Sequence, residues 1–117
     1  AAANAAYAPI HIDIALMGMG ADAHTASWFP GSADLARALD PNNTDTVMAV
    51  RAPQADAAAE RLTLTYAAIA RADHVLLAFT GVDKFAAFGG AQSSGPLAAP
   101  VAALFDLGEK FETVWTL

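Results

Sequence analysis

Residues Ile12 to Ser32 read IDIALMGMGADAHTASWFPGS, an aliphatic run that ends in a glycine-rich turn carrying an aspartate, a histidine and two hydroxyls. The run is Ile12, Ile14, Ala15, Leu16 and Met17, broken only by Asp13 and stopped by Gly18. That pattern predicts a buried strand of a parallel sheet. Loops at the carboxyl ends of such strands are where open α/β sheets bind ligands. A site is therefore expected on Gly18 to Ser32.

The flanking sequence extends the same pattern. On the amino-terminal side, AAANAAYAPI is rich in alanine, has no N-cap and no initiator Met, and reads as the tail of a helix whose beginning is absent. It lacks the basic start and apolar core of a secretory signal. On the carboxyl side, Ala33 to Leu39 has helical spacing and is closed by the turn cluster Asp40-Pro41-Asn42-Asn43. Thr46 to Ala52 alternates as a strand, and Pro53 to Glu60 is a connection. Arg61 to Thr65 alternates with period two, with Arg61, Thr63 and Thr65 on one face and predicted to point outward.

A helix is expected from Tyr66 to about Ala72, and His74 to Thr80 (HVLLAFT) is a second buried strand stopped by Gly81. A helix then starts near Val82. Gly89, Gly90, Ser93, Ser94, Gly95 and Pro96 read as a loop, Leu97 to Leu104 as a short helix, and Glu112 to Leu117 as a last strand. Strands alternating with helices predict an α/β fold with a mainly parallel sheet in a three-layer α/β/α arrangement.

The bulk properties fit one compact domain: 117 residues, 56% hydrophobic and 15% charged. A net charge of −6 without any Lys/Arg run argues against nucleic acid or anionic membrane as partners. There are no cysteines, so disulfides, thiolate metal sites and cysteine nucleophiles are excluded. No run approaches the ~18 apolar residues of a membrane span, which makes the cytoplasm the expected compartment.

Chemistry concentrates on a few side chains. Gly18-Met19-Gly20-Ala21-Asp22-Ala23 satisfies the dinucleotide pattern G-x-G-x-x-A. Phe29-Pro30-Gly31 breaks the helix that this fingerprint needs, however, and Asp40 lies in a turn rather than at a strand end. His24 is open to three roles: a structural hydrogen-bonder, a metal ligand or a general base. As a ligand it lacks partners, because His11 and His74 precede strands and belong at the opposite edge of the sheet. As a base it suits neutral pH if Asp22 fixes its tautomer.

Ser27 is outside any G-x-S-x-G elbow and is read as a turn cap. Trp28 and Phe29 are read as packing. Lys84, in the first turn of a helix, is disfavoured by the helix dipole unless it is solvated or shares an anion with the helix end. Arg61 and its outward threonines could join such an anion.

Three blocks, GMGADAHTASWFPGS, ERLTLT (Glu60 to Thr65) and FTGVDK (Phe79 to Lys84), resemble in order and spacing the motifs of the 6-phosphogluconolactonases. The closing stretch Pro96 to Leu117 is similar as well. The resemblance covers nearly the whole chain but only the carboxyl-terminal half of a typical member. It implies a single partial domain over residues 1–117, on a sheet related to that of the sugar-phosphate isomerase and deaminase superfamily, and inactive by itself.

The implied reaction is hydrolysis of 6-phosphogluconolactone to 6-phosphogluconate in the oxidative pentose phosphate pathway, with no metal or organic cofactor. The implied catalytic residues are His24 and Asp22, and the implied contacts to the phosphorylated sugar lactone are Gly18, Gly20, Thr25, Arg61 and Lys84. Ala23 departs from the family's glycine and would be strained if its φ is positive. Two alternatives follow: a sugar-phosphate-binding module without turnover, and a related aldose-ketose isomerase or amino-sugar deaminase.

Overall fold

The structure, a computed structural model, describes residues 1–52 and 60–117, so all but the last residue of the Pro53–Glu60 connection lies outside it. In chain order the elements are α1 (Ala2–Tyr7), β1 (Ile14–Met17), α2 (Leu35–Leu39), β2 (Val47–Arg51), β3 (Glu60–Leu64), α3 (Tyr66–Ala70), β4 (His74–Thr80) and α4 (Val82–Ser94). A 3₁₀ segment (Pro100–Lys110), kinked at Gly108, and β5 (Phe111–Thr116) complete the chain. Among the described residues, no helix is long and apolar enough to cross a membrane.

The fold is the expected α/β type. Strands β1, β4 and β5 form a parallel sheet in the order β1-β4-β5, with Ile14 opposite His74 and Val75 opposite Phe111. Strands β2 and β3 form a separate antiparallel ribbon, with Val47 opposite Leu64. Alternation sorts the side chains of the sheet. Ala15, Met17, Val75, Leu77 and Phe79 are buried in one core with Leu35, Ile69, Ala91, Val101 and Leu104, which come from α2, α3, α4 and the 3₁₀ segment. On the opposite face, Ile14 and Leu16 are 64% and 71% exposed.

Three local expectations need correction. Gly89 to Ser94 is not a loop, because α4 runs through it to Ser94 and closes at Gly95 (φ 82), whose N–H donates to the Ala91 carbonyl. Ala91 is fully buried, and that packing outweighs the ~1 kcal/mol by which each glycine disfavours a helix. The next helical segment starts at Pro100 rather than Leu97. Thr63 of β3 and Thr65 just after it point inward: both are buried while Leu62 is 64% exposed. Burial does not alternate along the whole strand, since Arg61 and Leu62 are both exposed, but the two threonine hydroxyls turn inward, where nearby backbone groups engage them. Thr65 accepts from Ala68 N at 3.1 Å, capping α3, and donates to the Asp45 carbonyl at 2.7 Å.

Candidate active site

The turn after β1 is folded around Gly20. Its N–H donates to the His24 carbonyl (2.9 Å), and its own carbonyl accepts from Ala23 N (3.0 Å), closing a tight loop. A Cβ on Gly20 would lie 2.3 Å from both Cε1 and Nδ1 of His24, so only glycine lets the imidazole settle there. Ala23 has φ 67, the left-handed conformation that strains an alanine, and Ala26 follows with φ 50. The Ala23 carbonyl accepts from Val101 N at 3.0 Å, tying the turn to the 3₁₀ segment.

Asp22 and His24 meet as expected. Oδ1 of Asp22 lies 2.5 Å from His24 Nδ1 and accepts from the His24 backbone N–H at 3.0 Å. Partial burial pushes the Asp22 carboxyl up, but hydrogen bonds from the His24 backbone and ring outweigh this and hold it below the usual carboxylate range. An ionised carboxylate only accepts, so the proton of a neutral imidazole is assigned to Nδ1. Nε2 then carries the free lone pair.

His24 lines a cavity of about 490 Å³ with Gly18, Met19, Gly20, Ala26, Ala78 and Lys84. The two strand-end blocks therefore converge: the turn after β1 supplies His24, and the first turn of α4, after β4, supplies Lys84.

Two expected contacts fall elsewhere. Thr25 is fully buried, and its hydroxyl donates to the Gly18 carbonyl at 2.6 Å, so it braces the turn instead of meeting a ligand. Arg61 is exposed and does not line the cavity of His24; its guanidinium carbon lies 5.4 Å from the centre of the Phe29 ring. Ser27 is held through its backbone N–H, which donates to Thr63 Oγ1 at 3.1 Å.

Trp28 packs as predicted, fully buried with its indole N–H on the Leu64 carbonyl (2.9 Å). Phe29 does more than pack. Its ring centre is 4.8 Å from that of His24, at a tilt of 35°. The sequence signal for this contact was Pro30-Gly31 directly after it, a turn (Gly31 φ 81) that ends the run beside the histidine.

At the opposite end of the sheet, His11 Nε2 lies 3.0 Å from Asp73 Oδ2 and 3.4 Å from Asp13 Oδ1, all three exposed. His11 is thus remote from the turn, as its position before β1 predicted. Hydrogen bonding and charge from Asp73 raise its pKa.

The chain is similar to known proteins along nearly its whole length. The profile of the glucosamine-6-phosphate isomerases/6-phosphogluconolactonase family matches residues 2–115. A 6-phosphogluconolactonase of Mesorhizobium japonicum is 42% identical over 108 residues, spanning 92% of this chain and 44% of that protein. One from Pseudomonas aeruginosa is 44% identical over 78 residues, spanning 67% of this chain and 32% of that protein. The chain thus spans less than half the length of these relatives.

Among solved structures, a 6-phosphogluconolactonase from Shewanella baltica superposes with a TM-score of 0.76 at 29% identity, covering 90% of this chain and 44% of that one. One from Trypanosoma cruzi gives 0.68 at 30%, covering 91% and 39%. A monomeric glucosamine-6-phosphate deaminase shares the fold, with a TM-score of 0.66 at 19% identity, covering 89% of this chain and 45% of that one.

Proposed function

Because the chain belongs to the glucosamine-6-phosphate isomerase/6-phosphogluconolactonase family, we propose that it is the carboxyl-terminal part of a cytoplasmic lactonase that opens 6-phosphogluconolactone to 6-phosphogluconate. The observation that carries this reading is the Asp22–His24 pair, at 2.5 Å, on a cavity that Lys84 also lines. Asp22 keeps the Nδ1 tautomer and leaves Nε2 to take a proton from water. The hydroxide so formed adds to the lactone carbonyl, giving a tetrahedral oxyanion. The imidazolium then returns its proton to the ring oxygen as the C–O bond breaks, so the base is regenerated and one water is consumed.

Lys84 and the amino terminus of α4 supply positive potential for the sugar phosphate. Arg61 acts from the rim, by way of Phe29. The relatives' further length is the source of the remaining substrate contacts, so the 117-residue chain by itself is expected to be inactive.

The test is a chimera in which this chain replaces the matching segment of the Mesorhizobium japonicum relative. It should hydrolyse the lactone at pH 7, and His24→Ala should slow it by on the order of a hundred- to ten-thousandfold. Equal rates with and without His24 would overturn the assignment. The strained Ala23 favours a second reading, a sugar-phosphate-binding module without turnover. A folded chimera that binds 6-phosphogluconate but hydrolyses nothing would select it. Release of ammonia from glucosamine 6-phosphate would select a deaminase instead.

A further inference from the structure

We infer that Phe29 is a positioning residue: its ring sets the plane of the His24 imidazole and holds the Arg61 guanidinium at the edge of the same site. The catalytic consequence rests on the lactonase reading above, whereas the positional claim stands on geometry alone. A hydrogen bond from Nδ1 to Asp22 fixes where one atom of the imidazole lies, but leaves the ring free to tilt about the N···O line. A second contact against the face or edge of the ring is needed to fix its plane. Phe29, at 4.8 Å and 35°, is the aromatic ring that supplies it.

The same ring lies 5.4 Å from the Arg61 guanidinium carbon, within the range at which an aromatic face attracts a cation. Arg61 makes no ion pair among the described residues, and the Phe29 ring offers its guanidinium a cation–π contact.

A packing role alone does not explain Phe29. Trp28, its neighbour, fills the core completely, while Phe29 is half-buried and outside the hydrophobic cluster. Its position is imposed from both sides. Ser27 N and the Trp28 indole are bonded to Thr63 and Leu64 of β3, the strand that carries Arg61, and Pro30-Gly31 turns the chain directly after it. Phe29 is therefore clamped where the histidine turn and the arginine strand meet. Through it, an arginine that does not line the cavity is coupled to the base that does.

Three forms decide this: wild type, Phe29→Tyr, which keeps the ring, and Phe29→Leu, which removes it. In the 117-residue chain, NMR should find ring-current shifts on the Arg61 Nε–H and His24 Cε1–H resonances in wild type and Phe29→Tyr, and their loss in Phe29→Leu. In the chimera, Phe29→Leu should lower kcat on the order of tenfold through the misaligned base. It should also raise KM about two- to fivefold through the released arginine. Phe29→Tyr should stay within about twofold of wild type in both.

If Phe29→Leu impairs folding, Phe29→Met fills the volume without a ring and takes its place. Unchanged resonances, or unchanged kcat and KM in an active chimera, would overturn the inference. A chimera inactive in every form would overturn the lactonase reading and leave the resonances to judge Phe29.

Discussion

Ala23 stands where the resembled family has glycine, at φ 67 and buried. The left-handed conformation costs alanine roughly 1–2 kcal/mol, and glycine would forfeit about 0.5–1 kcal/mol of that in unfolded-state entropy. Ala23→Gly should therefore raise stability by about 0.5 kcal/mol, read from the urea midpoint, and a fall would show that the turn is unstrained. Asp22 gives a pH signature. Its folded pKa is depressed, so its stabilisation is fully present above the unfolded carboxyl value of about 3.9 and is lost as pH falls through the lower folded value. The stability advantage of wild type over Asp22→Asn, read from urea midpoints, should shrink as pH falls below about 4, and a difference unchanged in stronger acid would contradict the depressed carboxyl.

At this scale the histidine, its aspartate and Gly20 were legible because they lie within five residues of one another in a single tight turn. The burial of Thr25 and the contact of Phe29 with Arg61 were not. Both depend on which strand the turn docks against, and spacing along one chain does not encode that.

Among the elements, α3 depends on a single side chain. Thr65 caps its amino terminus and also satisfies the Asp45 carbonyl, from a fully buried position. Thr65→Ala should cost about 1–3 kcal/mol by thermal or chemical unfolding, and Thr65→Ser should recover most of it. The elements most legible in sequence were those with an unambiguous period. His74 to Thr80 was predicted to the residue, since an aliphatic run stopped by glycine has few other conformations. The misread elements were those decided by tertiary contact. α4 persists through Gly89 and Gly90 because Ala91 is buried, and β3 turns its hydroxyls inward because a cap, a carbonyl and Ser27 N require them. Period two separates two faces of a strand but does not say which is wet when one carries leucine and the other threonine.

For the molecule as a whole, the parallel sheet has one face in the core and an open face at β1. Ile14 and Leu16 project there beside a groove of about 330 Å³ formed with Tyr7, Ile10, Ile12 and Leu64. Exposed contiguous apolar surface of this kind promotes association. The 117-residue chain should sediment as concentration-dependent oligomers, and Ile14→Lys with Leu16→Lys should return it toward monomer. A monodisperse wild-type monomer at high concentration would contradict this. The class of fold was readable from alternating strands and helices, while the open face emerged only once the register of β1 on β4 was known.

The bond from Val101 N to the Ala23 carbonyl has a consequence in time. β1 meets its partner only when Ile14 pairs with His74, and the turn gains its bond to the 3₁₀ segment only when Val101 is in place. Contacts so distant in sequence close late and slowly. The turn that carries His24 is thus completed by residues about 50 to 80 positions further along the chain.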